Sequence, residues 1–203
     1  MTREEESLLV SKAQRGDTVS FEKLVLENQT KVYNLALRMV GNEEDAFDMS
    51  QEAFIKAYNS LGSFRGDSRF SVWLYRLTTN VCLDFLRAES RRNHTSLTFL
   101  SDEDEEKELE IPDDRFSPET AAEKKELREE LGRGLMSLPE EYRLILLLRE
   151  INGLSYEEIS KALSLEEGTV KSRIFRARKR LCAILSAQGN ISKKQSSNRA
   201  KEV

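Results

Sequence analysis

The chain has 203 residues, a formal net charge of -4, 38% hydrophobic and 33% charged residues, which suits one domain or two small ones with modest cores. Three prolines and nine glycines are few for an all-β protein with its many tight turns, and no run of about 18 apolar residues offers a membrane span. Two distant cysteines, Cys82 and Cys182, and one histidine, His94, supply neither a disulfide framework nor a zinc ligand set; they fit reduced thiols in a cytoplasmic protein.

The N-terminus, MTREEESLLVSKAQRGD, is acidic and amphipathic and lacks the basic-then-apolar order of a signal peptide. Residues 42–61, NEEDAFDMSQEAFIKAYNSL, read as a helix opened by Asn42 with acids in its first turn. Ala46, Ala53, Phe54, Ala57 and Leu61 share one face. Asp45, Asp48 and Glu52 form a separate acidic stripe flanked by Gln51, read as carboxylates without a basic partner at i+4. By residue type alone the stripe fits a solvated face or a surface awaiting a basic partner.

Residues 64–91 give a loop, with turn chemistry at Gly66-Asp67-Ser68, and then a long helix. Phe70, Leu74, Leu77, Val81 and Phe85 repeat at helical spacing as its core stripe. Arg76, Asn80, Arg87 and Arg91 line another face, with Trp73 at the edge. Basic and amide groups beside an aromatic suit single-stranded DNA, although a lone tryptophan at helical spacing equally fits a core.

Residues 102–114, DEDEEKELEIPDD, carry nine acids against one lysine. Such a block repels itself and buries no apolar surface, so a flexible linker is expected over about 92–116, supported by Pro112 and Pro118. It divides the chain into helical segments 1–91 and 117–186, followed by a polar, basic, frayed tail at 187–203. The expected fold class is therefore all-α, with two small helical domains.

In the second segment Gly153 fits the C-cap of EEYRLILLLREIN. Ser155-Tyr156-Glu157-Glu158 and Ser164-Leu165-Glu166-Glu167 each match a capping box. The spacing predicts a helix over 156–163, a tight turn and a second helix, which is a helix-turn-helix. The second helix contains GTVKSRIFRARKRL, with six basic residues in fourteen and no acid. At about 100° per residue, Val170, Ile174, Ala177 and Leu181 form its buried stripe. Lys171, Ser172, Phe175, Arg176 and Lys179 point outward. That set suits a major groove: Arg176 on a guanine edge, Phe175 on a thymine methyl, lysines on phosphates.

The stretch LSYEEISKALSLEEGTVKSRIFRARKRL, preceded by LPEEYRLILLLREING, resembles the fourth conserved region of bacterial sigma factors of the small extracytoplasmic-function (ECF) group. The resemblance implies that Lys171, Ser172, Arg173, Phe175, Arg176 and Lys179 meet the −35 promoter element. DAFDMSQEAFIKAY and FRGDSRFSVWLYRLTTNVCLDFLR resemble the second conserved region of the same group. They imply polymerase binding through Asp45, Asp48, Gln51 and Glu52. They also imply −10 melting and capture by Ser63, Phe64, Arg65, Arg69 and Phe70, with Arg76, Asn80, Arg87 and Arg91 behind. Phe47, Met49 and Thr78-Thr79 depart from residues common in the group, so base specificity does not transfer.

The implied partners are core RNA polymerase, through its clamp helices and flap, promoter DNA and an anti-sigma factor. The acidic linker is implied to lie in the polymerase's RNA path. A response-regulator-type transcription factor uses a similar Thr-Val-Lys pattern, but residues 1–91 show no apolar strand ending in a phosphoacceptor aspartate. A helical adaptor would leave the basic face incidental. No phosphate-binding glycine loop, nucleophile–base pair or metal-ligand set is present, so neither an enzyme nor a cofactor is expected.

Overall fold

The computed structural model describes residues 1–96 and 118–187, with side chains placed over 1–92 and 127–187. Among the described residues the secondary structure is helical throughout. The first half consists of α1 (Arg3–Gln14), α2 (Thr18–Val40), α3 (Glu43–Ser60), a 3₁₀ turn (Leu61–Ser63) and α4 (Phe70–Ser96). The second consists of α5 (Pro118–Met136), α6 (Glu140–Leu146), which runs on as a π turn (Leu147–Ile151), α7 (Tyr156–Leu163) and α8 (Glu167–Ala187). α4 continues past the expected boundary at 91. The acidic block 102–114 and the tail after Ala187 lie outside the described residues.

Local chemistry sets most helix ends. Thr2 and Glu5 form a capping box on α1, and the Asp17 carboxylate accepts the Val19 and Ser20 N–H groups at the start of α2. Gly41 ends α2 at φ 80°, a left-handed conformation that favours glycine. Asn42 then accepts from Glu44 and Asp45 to open α3, as its sequence predicts. Pro118 sits in the first turn of α5, where its missing N–H costs nothing.

Leu24, Leu35, Met39, Phe70 and Leu74 are fully buried in the first half, and Ile145, Leu147, Leu148, Ile159 and Ile174 in the second. Each such side chain contributes about 1.5–3 kcal/mol on leaving water. Phe70, Leu74 and Val81 take core positions as expected, whereas Leu77 and Phe85 are half-buried. The two halves touch: α2 packs against α5 and α6, and α4 against α7.

Cys82 is buried, and burial pushes its thiol up to about 12, while Cys182 is exposed on α8. A thiol-reactive disulfide reagent at neutral pH is expected to modify Cys182 alone in the native chain, and both cysteines in denaturant. Rapid modification of both without denaturant would contradict the packing of α4. The raised thiol also carries a sign: its contribution to stability is complete below the free-thiol value, and is lost as pH rises through about 12.

Candidate nucleic-acid and polymerase interfaces

The helix-turn-helix begins as the sequence predicts. The Ser155 hydroxyl accepts the Glu158 N–H at 3.1 Å, and Glu158 accepts the Ser155 N–H at 2.8 Å. The second expected box does not form. Ser164 is instead the C-cap of α7, in the left-handed region at φ 53°, and α8 starts at Glu167. A tight turn between two helices needs a left-handed residue at that point, and Ser164 takes it. The Glu166 carbonyl accepts the Val170 N–H instead, and the Ser160 hydroxyl and backbone close the turn on Leu165.

On α8, Val170, Ile174 and Ala177 are buried and Leu181 is half-buried, so the predicted core stripe holds. Phe175 is 69% exposed, the most exposed large apolar side chain among the described residues. Lys171, Ser172, Arg176 and Lys179 are exposed around it. The arginines that flank this face behave differently. Arg173 pairs with Glu141 at 3.3 Å, and Arg178 donates from Nε to Glu150 at 3.1 Å. These two contacts brace α8 against α6 and the π turn on either side of the outward face. Arg173, expected at DNA, is therefore engaged within the protein, whereas Arg176 and Lys179 have no ion-pair partner among the described residues. Lys171 reaches Glu167 only at 4.0 Å.

Tyr156 adds a feature the sequence reading missed. Arg149 lies 4.8 Å and Lys171 6.0 Å from its ring centre. The ring thus supports cations from two segments at the start of α8.

In the first half, Asp48, Gln51 and Glu52 are exposed on α3 and Asp45 is half-buried. One part of the sequence reading is corrected: Glu52 does have a basic partner at i+4, Lys56, at 2.8 Å. An exposed i,i+4 pair is worth about 0.3–0.5 kcal/mol, too little to retire the carboxylate from a binding surface. Sequence reasoning also missed the apolar member of this face. Ile55 is 59% exposed and falls between Asp48 and Gln51 at helical spacing, with Phe47 and Tyr58 exposed nearby. Its signal was legible, because isoleucine in the middle of a polar stripe has no core to fill.

The segment 63–70 is held from behind by α1. Gln14 donates to the Leu61 and Phe64 carbonyls at 2.9 and 2.8 Å, and Glu6 accepts the Phe70 N–H at 2.7 Å. Ser63 and Arg65 are exposed, and the Ser63 hydroxyl donates to the Ser60 carbonyl. Arg69 is exposed but engaged, donating to Glu158 of α7. Phe70 is 1% exposed and Trp73 7%; with Phe64 they form a cluster of ring centres 5.1–6.0 Å apart. Phe70 is thus a core side chain that shapes the loop, and neither it nor Trp73 offers a ring for a base to stack on. Asn80 is exposed, Arg76 half-buried, and Arg87 exposed and paired with Asp84 at 3.2 Å. Arg91 is exposed at the far end of the same helix. Thr78 and Thr79 are buried, so these departures from the group's usual residues face inward. Partial burial pushes the Glu158 carboxyl up, but the Ser155 N–H and Arg69 outweigh it and hold it below the usual carboxylate value.

Two family models match this chain: sigma-70 region 2 over residues 24–92 and sigma-70 region 4 over residues 128–181. The RNA polymerase sigma-H factor of Pseudomonas aeruginosa is 43% identical over 88% of this chain and 92% of its own length. The ECF RNA polymerase sigma-E factor of Escherichia coli K12 is 42% identical over 85% of this chain and 90% of its own. Among solved structures, CnrH in complex with the cytosolic domain of CnrY aligns over 90% of this chain and 98% of its own, at 25% identity and a TM-score of 0.64. The sigma factor RpoE of Bartonella quintana, solved with the anti-sigma factor NepR, has a similar fold, with a TM-score of 0.66 over 82% of this chain and 96% of its own at 23% identity. With region 2 carrying the acidic α3 face and region 4 carrying the open face of α8, the chain belongs to the sigma-70 family of RNA polymerase sigma factors, in its ECF group.

Proposed function

We propose that the surfaces described above divide the work of promoter selection between the two halves. As an ECF sigma factor the chain binds core RNA polymerase, directs it to promoters and initiates transcription; it is a non-catalytic initiation factor. In our reading the α3 face of Asp45, Asp48, Gln51 and Glu52 docks the polymerase clamp, with Ile55 as its apolar centre. Apolar anchors ringed by polar groups carry most of the binding energy in such interfaces. The segment 63–69, with Arg76, Asn80, Arg87 and Arg91 behind it, takes the −10 strand. α8 enters the −35 major groove with Ser172, Phe175, Arg176 and Lys179 leading and Lys171 at a phosphate. The observation that carries this reading is the open centre of α8, where Arg176 and Lys179 are unpaired while the flanking arginines are tied to acids. Domains 1–91 and 117–186, joined by the acidic linker, would then act as two tethered contacts, each weak alone.

A cytosolic anti-sigma partner is part of the proposal, since CnrH and RpoE were solved with CnrY and NepR. A cytoplasmic location goes with that partner and with RNA polymerase. The test is a pull-down with purified core polymerase followed by run-off transcription on a library of promoter fragments. Retention on core and discrete transcripts are expected, and failure to bind core would overturn the reading. Ile55→Ala is expected to weaken core binding by about five- to thirtyfold, equivalent to about 1–2 kcal/mol at a buried anchor. Its melting temperature should match the parent's, because Ile55 fills no core. Unchanged affinity would remove Ile55 from the interface.

A further inference from the structure

The outward face of α8 is bordered by two arginines that carboxylates already hold. Arg173 pairs with Glu141 of α6 at 3.3 Å. Arg178 donates from Nε, at 3.1 Å, and from Nη2 to one oxygen of Glu150 in the π turn. Both arginines keep access to solvent, with side chains 32% and 52% exposed, and both carboxylates lie on the surface. Exposed pairs of this kind add little to the stability of a fold. Their effect is on where the charge of α8 is available. Arg176 and Lys179, at the centre of the face, are open, while the cations at its two edges are matched by acids.

Those edges matter once the helix is in a groove. At about 100° per residue, Arg173 and Arg178 stand roughly a quarter to a third of a turn to either side of the outward set. A helix about 10–12 Å across fills a major groove about 12 Å wide, so its flanks come to face the phosphate walls. A free guanidinium there neutralises a phosphate and releases a counterion, whereas one already matched by a carboxylate releases none. Glu141 and Glu150 therefore subtract two phosphate contacts that the sequence of α8 would otherwise supply.

We propose that Glu141 and Glu150 set the sequence-independent DNA affinity of α8, by keeping Arg173 and Arg178 from the phosphates on either side of the groove. Base discrimination stays with Arg176 and its neighbours, because a phosphate contact strengthens every sequence alike. The consequence is felt against bulk DNA: a genome offers about 10⁶–10⁹ competing sites, so each added phosphate contact draws the chain away from promoters. The inference rests on α8 entering the −35 groove, and its test keeps the two apart. The full chain and its Glu141→Gln, Glu150→Gln and double variants are titrated with a matched −35 duplex and a scrambled one over a range of salt. Glutamine keeps an oxygen for the arginine N–H groups, so the brace on α8 remains and the melting temperature should match the parent's. At low salt, affinity for both duplexes is expected to rise about threefold for each single change and about tenfold for the pair, with the ratio between duplexes unchanged. The plot of log affinity against log salt should steepen by about 0.9 for each acid removed. An unchanged slope, or a fall in affinity for both duplexes, would overturn the proposal and leave the acids as braces alone. So would an equal rise in Glu22→Gln, which makes the same change in net charge at an exposed α2 carboxylate in the other half. Arg176→Ala reports separately on the groove. If it binds the matched duplex as tightly as its parent, the placement of α8 fails, whatever the salt slopes.

Discussion

Reversing the charge at Asp48, by Asp48→Arg, is expected to lower affinity for core RNA polymerase by about tenfold or more. A like charge set against a basic surface costs several kcal/mol, and each 1.4 kcal/mol is about tenfold. The fold should be untouched. Asp48 is exposed, and an arginine there meets Glu52 one turn later on α3. Competition binding with purified core polymerase measures the effect, and a thermal melt of the free chain provides the control. An unchanged affinity would take the acidic face of α3 out of the interface and return it to being a solvated surface.

The complementary result is expected from Arg176→Ala. Here core binding persists, while transcription from promoters that depend on a −35 element falls by about 5- to 150-fold, as expected for losing one good base contact worth about 1–3 kcal/mol. The defect should be confined to −35-dependent templates, because Arg176 is on the open face of α8 and supports nothing beneath it. Run-off transcription with matched and scrambled −35 elements separates the cases. A parallel loss of polymerase binding would break the division of labour between the halves.

What the sequence revealed was mostly what is local. The capping box at Ser155 and Glu158, the Asn42 cap and the buried stripe of α8 are all decided within a few residues, and each forms as read. The second capping box failed for an equally local reason that composition hides: two caps nine residues apart leave one turn, and Ser164 cannot both end α7 and begin α8. Thr2 with Glu5 and Glu52 with Lys56 obey the same spacing rules and went unread.

The seam between the halves was not legible at all. In LPEEYRLILLLREI, Arg143 looks like an exposed helix residue; its three carbonyl partners come from α2, from the end of α5 and from the turn before α6. Phe70 and Trp73 posed the opposite problem. Their place beside basic residues suggested contact with bases, and only the α1 hydrogen bonds that draw the loop inward show why these rings are enclosed.

Arg143 and Arg69 also respond differently to ionic strength. The Arg69–Glu158 pair is half open to solvent, so added salt screens it within a Debye length of about 8–10 Å. Arg143 is bound to carbonyl dipoles inside the protein, where mobile ions do not reach. Concentrated salt therefore loosens the loop end of the seam first and leaves the α2 end fastened. Of the two contacts between the halves, Arg69–Glu158 is thus the salt-sensitive one and Arg143 the salt-tolerant one.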